Sequence, residues 1–412
     1  DGLEADMPAV VDAARRWVLA HPDPVVPWDQ PGFTIPDIEE DLAHLELHGA
    51  AELYADGHGR YPARLAIYAN AVEGSMVDID TSLRLESRYL ASLATGQVSK
   101  NMINTFFFQS SQIRGGKARP TSAERVALRT LSIDGTAPAA VMAAIAAATR
   151  RVPAVLAYAS GEDEARSAHA LDAAVQELVA AGRIAAAKAA AVRSAVTVVP
   201  AAGAREPGVL SLVQRVAALH PGAVVLMTGE ASLQAAVAAG HVGLRAIPDL
   251  MHADVVEVVC ARGGDLATAT RAYDFLQQIG KTPIVVSDAP RGFLHRVGAA
   301  AAAEAAALCA EGMPQHLVET AALQTDMAGG VLRLARLYGT APLSSAPVHG
   351  HGGGDGPERV RDAQDRILIV QAIEALRCLE EGVVTSVADA NLAKLDAVRA
   401  LPVSDARRAA LL

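Results

Sequence analysis

Two charged residues stand inside otherwise apolar sequence, Arg245 in GLRAIP and Glu257 in VVEVVC, twelve positions apart (257 − 245 = 12). A carboxylate among β-branched residues reads either as a catalytic group or as half of a structural ion pair, because an unpaired charge in such surroundings is costly. The arginine restricts the chemistry. A guanidinium stays protonated and cannot act as a general base. An imidazole titrating near neutrality can, and His295 in GFLHRV reads as a relocated base or as a satisfied core histidine. His349 and His351 in HGHGGGD could ligate a metal, but no Asp/Glu/His cluster adjoins them in sequence. They read as part of a Gly-rich loop, and no metal is expected. Asp134-Gly135-Thr136 reads as a turn between a strand and a helix opened by Pro138.

The elements that position these residues follow from hydrophobic patterning. VALRTLSI, PAVLAYA, AVTVVP, GAVVLMT, VVEVVC and TPIVVSD read as buried strands bounded by Gly, Pro or polar residues. AAVMAAIAAATRR, ARSAHALDAAVQELVAAG and VLSLVQRVAALHPG read as the helices between them. The alternation predicts α/β architecture with a mainly parallel, doubly wound sheet. Upstream, MPAVVDAARRWVLA and YPARLAIYANAVEGSM are helical, and SLRLESRYLASL follows a cap near Asp80 or Thr81. In that last helix Leu83, Tyr89, Leu90 and Leu93 read as a packing stripe. Five prolines (Pro22, Pro24, Pro27, Pro31, Pro36) enforce an extended connector, and SSQIRGGKARPTSAE reads as turns and linker. From Phe293 onward helices dominate, interrupted by PVHGHGGGDGPE.

Composition excludes some functions. A net charge of −10 and 4% aromatics argue against a nucleic-acid surface. Abundant Ala favours closely packed helices. Cys260, Cys309 and Cys378 are odd in number and form no Cys-x-x-Cys pair, which points to a reducing, cytoplasmic setting. No run of about 18 uncharged apolar residues suggests a membrane span. The chain opens at Asp1 within an apparent helix, so a fragment or processed product is expected.

VEGSMVDIDTSLRLESRYLASLATGQVSKNMINTFFF, IGKTPIVVSDAPRGFLHRV and RILIVQAIEALRCLEEGVVTSVADAN together resemble the α-subunit of the bacterial fatty-acid β-oxidation complex. That family joins an enoyl-CoA hydratase to a 3-hydroxyacyl-CoA dehydrogenase. The resemblance implies linker helices at the hydratase end over 1–120, a degenerate Rossmann-like domain over 121–290, and a helical domain of two shortened repeats over 291–412. It places the hydratase core upstream of Asp1. In this family a His stands twelve residues before a Glu, so Arg245 occupies the His place and Glu257 is retained.

The family's cofactor is NAD, and its fingerprint aligns with LSIDGTAPAAVM, setting the three glycines on Asp134, Thr136 and Ala139. The ribose-binding acid falls on Tyr158, and the substrate-contacting hydroxyl on Glu230, with Ser232 nearby. By this alignment cofactor and proton-transfer residues are replaced together, and no cofactor is expected. The resemblance therefore implies a non-catalytic structural or assembly subunit, partnered by a thiolase-type β-subunit, a hydratase or a second copy of the chain. Two alternatives stand beside it: part of an acyl-CoA-processing enzyme whose active domain lies upstream or in a partner, and an acyl-CoA-binding module.

Overall fold

Short β-branched runs closed by Gly or Pro become strands when flanking helices can cover both faces of the sheet they form. The computed structural model describes residues 6–35, 38, 49–57, 61–125, 127–158, 164–200, 210–213, 222–227, 241–260, 264–325, 330–337 and 357–391. It divides into two compact units, Asp1–Ile103 and Asn104–Leu412.

The first unit contains α1 (Met7–Ala20), α2 (Ala50–Gly57), α3 (Pro62–Ser75), α4 (Ile79–Thr95) and α5 (Gln97–Met102). Proline lies within the first two positions of α1 and α3, where a missing N–H has no intrahelical partner to lose. The cap of α4 is Asp78 rather than Asp80 or Thr81: its carboxylate accepts from the Thr81 N–H at 2.9 Å and the Thr81 hydroxyl at 2.7 Å. Those hydrogen bonds hold the Asp78 carboxyl below its usual range. Asp80 and Thr81 fall inside the first turn, where φ/ψ is already helical. Tyr89 donates to Glu73 of α3 at 2.8 Å, while Leu83 and Leu90 remain exposed. None of α1, α3, α4 and α5 buries a residue.

The second unit opens with α6 (Ser110–Arg114) and then runs β1 (Leu131–Asp134), α7 (Pro138–Thr149), β2 (Ala154–Tyr158), α8 (Glu164–Ala180), α9 (Ala186–Ser194), β3 (Val196–Pro200), β4 (Leu210–Val213), β5 (Ala223–Met227), β6 (Val242–Arg245), β7 (Val255–Cys260), α10 (Leu266–Gln278) and β8 (Thr282–Ser287). These strands form one eight-stranded sheet in the order β3-β2-β1-β4-β5-β6-β7-β8. Every neighbouring pair is parallel except β6–β7. The first six strands thus follow the doubly wound, Rossmann-like order.

Two strands depart from the sequence reading. LSLV, within a segment expected to be helical, forms β4, and VGLR forms β6. Short apolar runs do not separate buried helix from buried strand, and a central strand next to β1 gains ladder bonds on both edges. The expected linker 110–124 is also fastened down. Arg119 lays its fork on Asp274 of α10 at 2.7 and 2.6 Å, and Tyr273 donates to the Ile113 carbonyl at 3.1 Å.

Beyond the sheet lie α11 (Gly292–Ala310), α12 (Gln315–Leu323), α13 (Gly330–Leu337) and α14 (Pro357–Glu380). Two apolar clusters form the core. Val256 and Val258 of β7 join α7 and α10 in one; Val255 and Val259 join α11 and α14 in the other, as period-two alternation requires. α11 is long and apolar enough to cross a membrane, but more than half of its apolar window is buried inside the protein, as in a core helix.

α11 and α14 clamp each other reciprocally. Arg296 of α11 donates to Glu374 at 2.7 Å and Glu381 at 3.1 Å, while Arg366 of α14 donates to Glu304 at 2.7 Å and Glu311 at 2.6 Å. The two clamps repeat at a fixed offset (366 − 296 = 374 − 304 = 381 − 311 = 70). Arg296→Ala is expected to lower stability by about 1–2 kcal/mol, with Arg296→Lys recovering only part because an ammonium cannot fork two carboxylates. Urea unfolding of the two variants measures the difference.

Candidate functional site

The spacing of twelve between Arg245 and Glu257 is a consequence of strand register. β6 and β7 are antiparallel, so paired residue numbers sum to a constant (242 + 260 = 245 + 257 = 502), and Arg245 stands directly opposite Glu257. On the other side Met227 of β5 aligns with Arg245. Met227, Arg245 and Glu257 therefore form one row across three strands, on the face covered by α11.

This row is sealed. The Arg245 and Glu257 side chains are both 0% exposed, and Nη1 of Arg245 donates to Oε2 of Glu257 at 2.7 Å. The other carboxylate oxygen accepts the Leu294 backbone N–H at 2.6 Å, at the start of α11. A helix N-terminus offers such N–H groups together with a favourable dipole for negative charge. Nη2 of Arg245 lies 4.0 Å from the Met227 sulfur. Gly292 completes the enclosure: its φ of +59° suits glycine, and a Cβ there would come within 1.7 Å of Arg245 Nη1 and 2.3 Å of Glu257 Oε2.

Asp288, just past β8, was not singled out by sequence. Burial raises its carboxyl pKa, and Arg245 opposes that rise. The Ser-Asp-Ala-Pro punctuation at the end of an apolar strand was the available signal for it. His295 is 2% exposed within α11, on a helix turn packed into the core. Glu230 and Ser232 lie outside the described residues, as do His349 and His351. Among the described residues no group of three or more His, Cys, Asp or Glu could hold a metal. The cysteines are free thiols, and burial pushes Cys260 up to about 11 and Cys378 up to about 12, leaving neither as a thiolate nucleophile near neutrality.

The first crossover turn joins β1 to α7 through Asp134-Gly135-Thr136, as the sequence reading of a turn before Pro138 expects. β1 ends at Asp134, the Gly135 N–H continues the ladder to the Ala157 carbonyl at 2.9 Å, and α7 starts at Pro138. The residue with the glycine-only conformation is Gly135, φ +131°. Ala140, fully buried in α7, is small enough for close helix–sheet packing.

The fit to a dinucleotide fails elsewhere in the turn. Ala137 adds a methyl where the diphosphate must approach bare backbone, and Pro138 removes an amide donor from the N-terminus of α7. Asp134 adds negative charge at the strand end. At the tip of β2 the Tyr158 hydroxyl lies 3.4 Å from Glu164 at the start of α8.

No protein-family model and no curated protein matches the chain. Solved structures similar to it include several 3-hydroxyacyl-CoA dehydrogenases. The 3-hydroxybutyryl-CoA dehydrogenase of Escherichia coli K12 is 18% identical with a TM-score of 0.42, over 52% of this chain and 50% of that one, so the chain spans half the length of that enzyme. The dehydrogenase part of multifunctional enzyme 1 from C. elegans is 11% identical with a TM-score of 0.48, over 71% and 86%. The (S)-3-hydroxybutyryl-CoA dehydrogenase of Ralstonia eutropha is 15% identical with a TM-score of 0.41, over 62% and 91%.

Arg245→Met alone leaves Glu257 as an uncompensated buried charge and is expected to destabilise the second unit by about 3–5 kcal/mol, whereas the double variant Arg245→Met/Glu257→Leu recovers most of that loss. A double-mutant cycle in urea reads the coupling directly.

Proposed function

We propose that this chain is a non-catalytic relative of the 3-hydroxyacyl-CoA dehydrogenases that serves as a structural or assembly subunit. One observation carries the reading: the row where proton transfer would take place holds a guanidinium instead of an imidazole, in a fully buried ion pair whose carboxylate has both oxygens engaged. A permanently protonated group cannot accept a proton, and a sealed carboxylate cannot reach a substrate. The turn after β1 supports the same reading, since Ala137 and Pro138 work against a bound nicotinamide dinucleotide, and no cofactor is assigned.

The first unit supports an assembly role. Its helices leave Trp17, Leu19, Leu83 and Leu90 exposed and bury no residue in α1, α3, α4 or α5, which is apolar surface available to a partner. The partner assigned here is a thiolase-type β-subunit, a hydratase or a second copy of this chain, in a reducing cytoplasm.

Calorimetry with NADH, paired with an assay of 3-hydroxyacyl-CoA oxidation, tests the non-catalytic reading. The expected outcome is no saturable NADH binding and no turnover. Arg245→His is expected to remain inactive, because an imidazole at that position leaves Ala137 and Pro138 in place. Stoichiometric NADH binding with turnover by the unmodified chain would overturn the reading.

A further inference from the structure

Asp389 is 3% exposed, and its Oδ1 has no hydrogen-bond partner among the described residues. A carboxylate in that position would lack the donors that normally stabilise buried charge, whereas a neutral carboxyl is far cheaper to enclose. Burial is the cause that acts on this carboxyl. From α10 comes the fully buried Tyr273, whose phenol senses the Asp389 charge and already donates to the Ile113 carbonyl. Tyr273 in turn faces Arg125, Asp274 and Arg119, of which the last two bind each other. From the chain ahead of α6 comes Gln109, which accepts from Asn391 at 3.2 Å. On its own segment the Ser386 hydroxyl accepts from the Ala388 and Asp389 backbone N–H groups at 3.1 and 3.4 Å.

The segment carrying Asp389 is fastened at both ends. Val384 bridges to Val286 at the edge of β8, and the Ser287 N–H donates to the Val383 carbonyl at 2.8 Å. Asn391 holds the other end through Gln109. Between these two fasteners the buried carboxyl sets whether the segment can seat.

We propose that residues 383–391 form a proton-linked latch, seated against α10 and Gln109 while Asp389 is neutral and loosened when Asp389 ionises. Burial raises the Asp389 carboxyl to about 6, against an ordinary value of 3.8. The sign follows from linkage. The folded state holds its proton more tightly than the unfolded state, so the latch is strongest at low pH, weakens as pH rises through the window from 3.8 to about 6, and levels off above it. A difference of about two pKa units corresponds to roughly a hundredfold change in the opening equilibrium.

Hydrogen–deuterium exchange of the full chain at about pH 5 and about pH 8, normalised for intrinsic exchange rates, tests this. Peptides covering 383–391 are expected to lose protection by roughly tenfold between the two conditions, because pH 5 already lies partway through the window. Asp389→Asn, similar in shape and without charge, is expected to remove most of that change and to be better protected than the unmodified chain at the higher pH. Equal protection of the unmodified chain at both conditions, or the same pH dependence in Asp389→Asn, would overturn the proposal. Should the variant fail to fold, NMR titration of the Asp389 carboxyl carbon in the unmodified chain decides: a midpoint near 6 supports the latch, and one in the ordinary aspartate range contradicts it.

Discussion

Enclosing a guanidinium and a carboxylate between sheet and helix removes both charges from water, a cost of several kcal/mol per ion that only close pairing and further hydrogen bonds offset. The second unit is arranged around that requirement. β6 and β7 must run antiparallel in the observed register to set Arg245 opposite Glu257. α11 must begin where its first free N–H groups reach the remaining carboxylate oxygen. The residue passing over the pair must have no side chain, and Gly292 has none. A change at any of these points leaves a buried charge without its partner, so the pair constrains sheet, turn and helix together.

The same geometry that would align a proton-transfer dyad here aligns a static ion pair. Strand register keeps the two positions face to face whatever residues occupy them, so spacing alone carries no chemistry. The residue type decides. With arginine in the row, the pair fastens the sheet to the start of α11. The reciprocal Arg–Glu–Glu clamps of α11 and α14 extend this charge-based fastening to the more exposed side of the same helix.

Much of this was legible in the sequence, and the failures have physical causes. VVEVVC, TPIVVSD and PAVLAYA are β-branched runs too short for helices and end at punctuation, so their strands could be read directly. LSLV carries equal apolar content but sits within a longer helix-compatible stretch, and only its neighbours β1 and β5 decide its state. The ion pair was readable because a guanidinium and a carboxylate in apolar strands have few alternatives. Its completion by Leu294 and Gly292 was not, since those residues lie more than thirty positions from Glu257 and meet it only through folding. The turn after β1 was readable from Asp134-Gly135-Thr136 ahead of Pro138, but the ladder bond from Gly135 to Ala157 was not, since it depends on the neighbouring strand. The segment carrying Asp389 is likewise held by residues far away in the chain, Val286 at its start and Gln109 at its end.

Native mass spectrometry of the protein isolated from its source cells, with every co-purifying chain identified, tests the central claim most directly. The account predicts a defined assembly in which this chain accompanies thiolase-type or hydratase chains, or further copies of itself, as a subunit without dehydrogenase chemistry of its own. A lone particle at the mass of this chain would contradict it.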